Sequence, residues 1–208
     1  MGYRDRADAG DVLAGELAAY RGREDVLVLG LVRGGVPVAA RVATALGAGL
    51  DALVVRKLGV PWAPEVAFGA VGSGGVRVLN PQIASTIDPE QVEAVTERES
   101  AELARREASY RPGRPALDLT DRIALIIDDG WATGATARAA VEVAHGLAAN
   151  RVVAAAPVGS RESVSWLRDS ADEVVCPLVP AHFGAVSRFY DRFGQVGDDE
   201  VRRLLGVR

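Results

Sequence analysis

The sequence contains one lysine, one cysteine and two histidines, and each shortage excludes a class of site. A phosphate-binding loop of the Walker A type needs a Gly-Lys pair, but the single lysine, Lys57, follows Arg56. The one cysteine, Cys176, can form neither an internal disulfide nor a cysteine cluster for a metal, which favours a reducing compartment. His145 and His182 have no second ligand at a metal-binding spacing. A P-loop nucleotidase and a cysteine-based or histidine-based metal centre are therefore excluded.

Long apolar runs and a strong net charge are also absent. The longest stretch without Asp, Glu, Lys or Arg covers residues 174–187, contains Pro177 and Pro180, and is shorter than the roughly 18 residues of a membrane helix. Residues 1–6 include charged side chains with no apolar segment behind them, unlike a signal peptide. The formal charge is −4, from 24 basic and 28 acidic side chains, and the arginines are scattered among acids. We expect a cytoplasmic protein with neither a membrane nor nucleic acid as a partner.

Short apolar runs alternate with helical segments from residue 25 onward, which is typical of an α/β protein with a parallel sheet. With 208 residues, of which 49% are hydrophobic, the chain is expected to form a single domain, residues 1–208, with a core at about 24–177. Ala9, Leu13, Leu17 and Tyr20 share one face of a predicted N-terminal helix. Five strands are predicted, at residues 26–31, 53–55, 123–127, 152–156 and 174–175. Further helices are predicted after Gly35, at 89–111, 134–149 and 161–168, and from 198 onward.

Two segments between the second and third of these strands have unusual compositions. Residues 59–81 are rich in glycine and proline, and within them residues 68–71 and 76–79 flank Gly-Ser-Gly-Gly and are predicted to form a β-hairpin. The helix at 89–111 is heavily charged, with Glu102/Arg106 and Glu107/Arg111 at the i,i+4 spacing of ion pairs. We interpret this helix as a solvated element with no part in the chemistry.

The segment 125–136 combines a buried strand, two carboxylates and a loop of small residues that begins a helix. Asp128 and Asp129 follow the strand, where they can accept hydrogen bonds from vicinal hydroxyls or hold a hydrated cation. The backbone N–H groups of residues 132–136 can close around a phosphate, assisted by the hydroxyls of Thr133 and Thr136 and by the helix dipole. A ligand with a diol near one end and a phosphate at the other fits this pattern, as in a ribose 5-phosphate.

This segment, an apolar strand followed by Asp-Asp and then Thr-Gly-x-Thr, resembles the signature of the type I phosphoribosyltransferase family. The resemblance covers about residues 26–176 and implies a five-stranded parallel sheet flanked by helices, which binds 5-phosphoribosyl 1-diphosphate (PRPP) with Mg²⁺. It implies that Asp128 and Asp129 hold the ribose hydroxyls, and Mg²⁺ through those hydroxyls or water. The phosphate would be bound by Ala132, Thr133, Gly134, Ala135 and Thr136.

The resemblance also implies roles for residues outside the motif. Arg33 and Gly34 are similar to the family's pyrophosphate loop, in which a non-proline cis peptide bond is often found. Residues 58–81 correspond to a mobile loop that closes over the reacting centre, with Arg56 and Lys57 at its hinge. Arg33 and Lys57, together with Asp128 and Asp129, are the predicted catalytic residues; capping of the sheet by Arg33 and a surface position for Lys57 are the alternatives. Family habit suggests a homodimer.

The acceptor is the least determined part of the prediction. Hypoxanthine and guanine enzymes of the family have an aspartate where this chain has Ala132, which disfavours a 6-oxopurine. Trp131 is a candidate for stacking on a planar acceptor, with packing beneath the loop or in a dimer interface as the alternative. Phe183 and Tyr190 are candidates because a hood over the acceptor is expected from the N-terminal helix, from residues 178–208, or from both; filling a small core is their alternative.

Three functions are compatible with these residues. The first is transfer of the phosphoribosyl group from PRPP to a nucleobase-like nitrogenous acceptor with release of pyrophosphate. The second is a regulator that keeps the fold and senses PRPP or nucleotides. The third is phosphorolysis or hydrolysis of a ribosyl compound, which would use the same diol and phosphate motifs.

Overall fold

The protein is an α/β structure, seen here as a computed structural model that describes residues 2–207. Its strands are β1 (Val26–Leu31), β2 (Gly49–Leu53), β3 (Val55–Val60), β4 (Ala63–Gly72), β5 (Val76–Leu79), β6 (Ile123–Ile127), β7 (Arg151–Ala155) and β8 (Glu173–Val175). Its helices are α1 (Arg6–Glu16), α2 (Gly35–Leu46), α3 (Pro81–Ala84), α4 (Pro89–Tyr110), α5 (Ala135–Gly146), α6 (Arg161–Arg168) and α7 (Asp198–Leu204). Short 3-10 turns lie at Ala18–Tyr20, Ser73–Gly75 and Val186–Phe189.

The main sheet has five parallel strands, as predicted, and their order is β2-β1-β6-β7-β8. Alternate residues of its central strand enter different cores, because successive side chains of a strand point to opposite faces. Leu125 packs with α1 and α2 on one face, and Ile126 packs with α5 and α6 on the other. The N-terminal helix contributes Leu13 and the following turn contributes Leu17 to the first of these cores, so the predicted apolar face is confirmed.

The second predicted strand was placed too late in the chain. The strand of the parallel sheet is β2, which begins at Gly49, and residues 55–60 form β3 of another sheet. The reason is Asp51, a charged residue in the middle of β2. Its carboxylate is buried against two guanidiniums, with Arg111 Nε and Arg114 Nη1 at 3.1 and 2.9 Å from Asp51 Oδ1. Arg111 therefore pairs with Asp51 and not, as the spacing predicted, with Glu107.

The glycine-rich and proline-rich stretch forms most of a second, antiparallel sheet in the order β3-β4-β5. The predicted hairpin is confirmed by the pairing of β4 with β5 from Gly69↔Leu79 to Gly72↔Val76. The long helix α4 packs against this sheet through Val92, Val95 and Leu103, and it also buries Thr96 and Tyr110; its other residues are exposed or half-buried. Within residues 2–207, no helix combines the length and the apolar character that crossing a bilayer requires.

Candidate active site

The candidate site lies where the loops after β1 and β6 meet. These strands are parallel neighbours, and their connections run in opposite directions across the sheet, from β1 to β2 and from β6 to β7. Such a reversal leaves a crevice beyond the carboxyl ends of the two strands, which is where ligands bind in open α/β sheets. The loop after β1 contains Arg33 and Gly34, and the loop after β6 contains Asp128 and Asp129. The topology thus brings four predicted site residues to one place.

The two carboxylates begin the loop after β6 and are held from the backbone. The Asp128 N–H donates to the carbonyl of Ala155 at 3.2 Å, and the Asp129 N–H donates to Oδ1 of Asp128 at 2.9 Å. Burial, reinforced by the negative charge of Asp129, raises the pKa of Asp128 to about 8. Burial also raises the pKa of Asp129, while the adjacent guanidinium of Arg6 opposes that rise. In the unliganded site, the negative charge of two neighbouring carboxylates is therefore unfavourable. A ligand that donates hydrogen bonds or carries positive charge would stabilise it.

Arg33 and Gly34 lie beside these carboxylates. The peptide bond between Val32 and Arg33 is cis, which confirms the prediction of a non-proline cis bond at this loop. Arg33 Nη1 is 3.5 Å from Asp198 Oδ1 of α7, and the Arg33 side chain is 38% exposed. Arg33, Gly34 and Asp129 line the same cavity of about 560 Å³. The geometry leaves part of the Arg33 guanidinium accessible from that cavity.

Gly34 and Gly35 permit the close approach of the two loops. An added Cβ at Gly34 would overlap the Asp129 carboxylate, with Cγ at 2.8 Å, and one at Gly35 would lie 2.9 Å from the Asp128 Cα. Ordinary contacts between carbon atoms begin near roughly 3.5 Å. These two positions of the sequence must therefore lack a side chain if the crevice is to keep its shape.

On the hypothesis that PRPP binds in this crevice, replacing Gly34 with alanine is expected to displace the Asp129 carboxylate and weaken that binding by about tenfold or more, a loss of about 1.4 kcal/mol. The measurement is the dissociation constant from isothermal titration with PRPP and Mg²⁺. Gly15→Ala is the matched control, because Gly15 is exposed inside α1 with nothing near its added Cβ. That variant should bind normally and gain up to about 1 kcal/mol of stability. Equal affinities of both variants would contradict the assigned role of Gly34.

The small-residue loop after the carboxylates opens α5, as its composition predicted. Gly134 has φ +70° and precedes the first residue of that helix, a conformation that suits glycine. The loop is anchored from outside by serines: Ser160 Oγ donates to the carbonyl of Ala132 at 2.8 Å, and Ser163 Oγ donates to that of Trp131 at 3.1 Å. Ala132, Thr133 and Thr136 are exposed. The loop thus presents its backbone and hydroxyls to solvent at the amino end of a 12-residue helix.

Lys57 is in β3, where it is paired with Ala70, and the segment 58–81, at whose hinge it was predicted, consists largely of strands. Its side chain is exposed and lines a second cavity, of about 590 Å³, that also borders Thr133, Gly134 and Ala135. The neighbouring Arg56 points elsewhere, because its guanidinium is paired with Glu99 of α4 at 2.6 Å. Lys57 therefore lies at the end of the site that is nearest the loop 132–136.

The structure contradicts two of the three acceptor candidates. Trp131 is 2% exposed and packs in the core beneath the loop, so its ring is not available for stacking. Tyr190 is 7% exposed and donates its hydroxyl hydrogen to the carbonyl of Asp129 at 2.6 Å, which makes it a support of the site. Phe183 is half-buried against Phe189 at 5.5 Å between ring centroids and does not line the cavity at Asp129. Packing explains all three aromatics.

Two residues of this cavity were missed by the sequence analysis. Arg6, in the first turn of α1, has its Nε 2.8 Å from Asp129 Oδ2, and Phe193 packs against its guanidinium at 3.9 Å. Both residues border the cavity with Arg33. Arg6 is one of many arginines, and the 123 positions that separate it from Asp129 leave no local signal of the contact.

The oxygen atoms of the crevice fit a magnesium ion that takes its remaining ligands from water and from the substrate. The carboxylate oxygens of Asp128 and Asp129 are of the kind that Mg²⁺ prefers. Among residues 2–207, no group of three Asp, Glu, His or Cys side chains is placed to hold a metal. One oxygen of Asp129 already contacts Arg6. These residues therefore suit an ion bound largely through water and substrate, and they do not form an all-protein cage.

The fold and the loops define a protein of the phosphoribosyltransferase class, and comparison with known proteins agrees. The chain belongs to the family described as phosphoribosyl transferase domain, which it matches over residues 4–192. It is 52% identical over 205 residues to a protein of Mycobacterium tuberculosis H37Rv, Rv0571c, whose name provisionally describes it as a phosphoribosyl transferase. That match covers 98% of this chain and 46% of the relative, so the chain spans about half the length of the curated relatives it matches.

Solved structures give the same result for the fold. The protein TT1426 of Thermus thermophilus is 44% identical, with a TM-score of 0.91 over 99% of this chain and 98% of that one. A purine phosphoribosyltransferase of Pyrococcus horikoshii is 19% identical, with a TM-score of 0.52 over 86% of this chain and 88% of the other. The second similarity concerns the fold alone. The predicted family and fold class are thereby confirmed.

Proposed function

We propose that this protein transfers the 5-phosphoribosyl group of PRPP to a nucleobase-like nitrogenous acceptor, with release of pyrophosphate and dependence on Mg²⁺. The observation that carries the proposal is the continuity of one short segment. Asp128 and Asp129 lie at the crevice with Arg33, and a few residues later the loop 132–136 opens the amino end of α5. Family membership supports the general activity, and the acceptor and the use of PRPP rest on this geometry.

This arrangement would orient the ribose between two parts of the site, the loop 132–136 and the cavity at Arg33 and Gly34. A phosphate bound by the loop 132–136 would be held by backbone N–H groups, the hydroxyls of Thr133 and Thr136, and the helix dipole. The hydroxyls at C2 and C3 would donate to the carboxylates of Asp128 and Asp129. Because C1 is bonded to C2 and lies far from the 5-phosphate, the reacting carbon then faces the cavity bordered by Arg33 and Gly34.

In the reaction, the bond between C1 and the pyrophosphate oxygen breaks and a bond from an acceptor nitrogen to C1 forms. C1 gains oxocarbenium character as negative charge develops on the leaving oxygen. The guanidinium of Arg33 and the backbone at Gly34 would bind the departing pyrophosphate, and Asp128 and Asp129 would hold the ribose during the substitution. Bound Mg²⁺ would supply further neutralisation of the pyrophosphate charge. Exclusion of water from the closed site would suppress hydrolysis.

The first test of this proposal is stabilisation by substrate. PRPP with Mg²⁺ is expected to raise the melting temperature, because a ligand that binds only the native state stabilises it by about 2.7 kcal/mol at about 100 times its dissociation constant. Ribose 5-phosphate should give a smaller shift and inorganic sulfate none. The absence of any shift at millimolar PRPP would refute the proposal.

A second experiment separates the enzyme from the alternatives. Pyrophosphate release is measured over nucleobases, pyridine carboxylates and anthranilate-like acceptors. Release with one acceptor class supports the transferase, and release with no acceptor added indicates hydrolysis. Binding of PRPP without release under any condition would favour a sensor of PRPP. A homodimer and a cytoplasmic location remain predictions, which size-exclusion chromatography with light scattering and cell fractionation can check.

Lys57→Ala is expected to lower kcat by about tenfold or more and change PRPP affinity by less than about threefold, if the lysine contributes charge stabilisation in the transition state. Steady-state kinetics and a PRPP titration give the two quantities. Arg77→Ala is the matched control, because Arg77 belongs to the same small sheet and pairs with Glu93 at 2.9 Å. A loss confined to PRPP affinity would instead assign Lys57 to phosphate binding, and full activity would return it to the surface.

A further inference from the structure

The N-terminal segment is fastened to the tail of the chain next to the crevice. The N–H of Tyr3 donates to the carbonyl of Phe189 at 2.8 Å, and the N–H of Asp191 donates to the carbonyl of Tyr3 at 2.9 Å. The rings of Tyr3 and Tyr190 pack at 5.6 Å between centroids. Helix α1 begins shortly after Tyr3, at Arg6. Two segments that are distant in the sequence therefore combine to place the Arg6 side chain beside Asp129.

The Arg6 guanidinium is held on three sides. Its Nε is 2.8 Å from Asp129 Oδ2, its Nη1 donates to the carbonyl of Gly194 at 2.8 Å, and Phe193 packs against it at 3.9 Å from the ring centroid. The side chain is only 12% exposed. Fixing a flexible arginine in one conformation costs entropy. The two hydrogen bonds and the contact with the Phe193 ring offset that cost and determine the position of the guanidinium.

One end of this guanidinium remains without a partner. Among residues 2–207, Nη2 of Arg6 has no hydrogen bond, and Arg6 borders the cavity of about 560 Å³ that contains Arg33 and Gly34. A guanidinium has only donors and is always charged. The nearby wall is formed by Val186, Phe193 and Val196, whose side chains offer no hydrogen-bond acceptor, and by Gln195, whose side-chain amide makes no hydrogen bond to Arg6 within residues 2–207. A ligand that reaches Nη2 must therefore bring an acceptor oxygen, and a charged one binds most strongly in such surroundings.

The position of Arg6 indicates that the oxygen bound by Nη2 belongs to the molecule that receives the phosphoribosyl group. No residue of the loop 132–136 borders this cavity, so it lies at the C1 end of a ribose held by Asp128 and Asp129. Two groups meet at C1, the leaving pyrophosphate and the incoming acceptor. Arg33 and Gly34 are taken by the pyrophosphate in the proposed reaction. Arg6, on the side of the tail, is the cation that remains for the acceptor.

We infer, on the basis of the proposed function, that Arg6 is a specificity-determining residue that selects an acceptor with a carboxylate on its planar, nitrogen-containing ring system. The carboxylate accepts hydrogen bonds from Nη2 at the edge of the cavity, and the ring nitrogen then points towards C1. Phe193 and the Gly194 carbonyl keep the guanidinium in place.

The experiment compares matched acceptors that differ in the acidic group: nicotinate with nicotinamide, and orotate with uracil. Pyrophosphate release is measured at saturating PRPP and Mg²⁺. At least one acidic acceptor is expected to react with kcat/KM about tenfold or more above its neutral partner, because a hydrogen bond to a charged group is stronger than one to a neutral group. Preference for the neutral partner would overturn the inference, and so would failure of all acidic acceptors to bind or react.

Variants of Arg6 then test whether this residue causes the preference for the acidic acceptor. Arg6→Lys keeps a positive charge beside Asp129 but removes Nη2, so it should raise KM for the acidic acceptor about tenfold or more and leave the PRPP-induced melting shift intact. Arg6→Ala should abolish the preference for the acidic partner. Arg4→Ala is the matched control, because Arg4 is 74% exposed and pairs with Asp8; it should behave as wild type.

The outcomes separate this inference from the proposed function. Equal loss of PRPP binding and acceptor affinity in Arg6→Lys would place Arg6 at the pyrophosphate and overturn the inference alone. An unchanged acceptor preference in both Arg6 variants would also overturn it alone. Failure of the wild-type protein to bind PRPP, or to release pyrophosphate with any acceptor, would count against the transferase itself.

Discussion

Asp128→Asn is expected to abolish stabilisation by PRPP and Mg²⁺ while leaving the unliganded protein at least as stable as wild type. Asparagine has the same shape, but one of the two acceptor oxygens is replaced by an NH2 donor, and the neutral amide cannot neutralise a cation. The buried carboxylate is itself unfavourable in the unliganded fold, as its raised pKa of about 8 indicates. Removing the charge of Asp128 is therefore expected to abolish PRPP binding and to stabilise the unliganded protein. Differential scanning fluorimetry with and without ligand measures both effects.

The same group makes stability depend on pH. The folded protein binds this proton more tightly than the unfolded chain, in which Asp128 titrates near its ordinary value of 3.8. Stability is therefore expected to fall as pH rises from about 4 to about 8 and to lose no more from this group above that range. Asp128→Asn should flatten the slope in this range. An equal slope in both proteins would show that Asp128 is not the group responsible.

Two further variants serve as controls for Asp128→Asn. Asp129→Asn should also lose PRPP binding, but it should gain less stability than Asp128→Asn, because it also removes the carboxylate partner of the Arg6 guanidinium at 2.8 Å. Glu102→Gln removes an acid that pairs with Arg105 and Arg106 on the surface of α4, far from the crevice. It should bind PRPP normally. Similar PRPP binding by all three variants would remove Asp128 and Asp129 from the site.

Asp51→Ala is expected to lower the free energy of unfolding by about 3–5 kcal/mol, the usual cost of removing one partner from a buried ion pair. Arg111 has a side chain only 7% exposed and contacts both Asp51 oxygens, at 3.1 and 3.2 Å. Without Asp51 that charge loses its buried counter-ion, and Arg114 loses a contact of 2.9 Å. Urea denaturation at neutral pH, with an unchanged m-value, gives the free energy directly.

The matched control for this effect is Asp25→Ala. Asp25 also pairs with an arginine, Arg23, at 2.7 Å, but its side chain is 39% exposed. Exposed pairs contribute about 0–1 kcal/mol, so this variant should be nearly neutral. If Asp51→Ala were equally mild, the ion pair with Arg111 would not be the link that holds β2 to the segment after α4.

Most of the fold could be predicted because its signals are local. Uninterrupted apolar runs such as 123–127 require burial on both faces, and the small-residue loop after Asp129 requires the start of a helix. The prediction failed at β2, where Asp51 interrupts the apolar pattern and its partner, Arg111, is 60 positions away. It was incomplete for the stretch 59–81: only the hairpin of 68–71 with 76–79 was predicted, whereas β3 also pairs with a longer β4 and makes a three-stranded sheet.

The sequence by itself determined the chemistry that we propose for this protein: Asp128 and Asp129 after a strand, the loop 132–136 before a helix and, through the family resemblance, Arg33-Gly34 after another strand. These proposed assignments need only neighbouring residues, because the diol, the phosphate and the pyrophosphate would each be recognised by one short segment. The tertiary structure decided which side chains border the crevice. It buried Trp131 and Tyr190, and it brought Arg6 to Asp129 across 123 positions, since burial and pairing depend on packing between segments that lie far apart in the sequence.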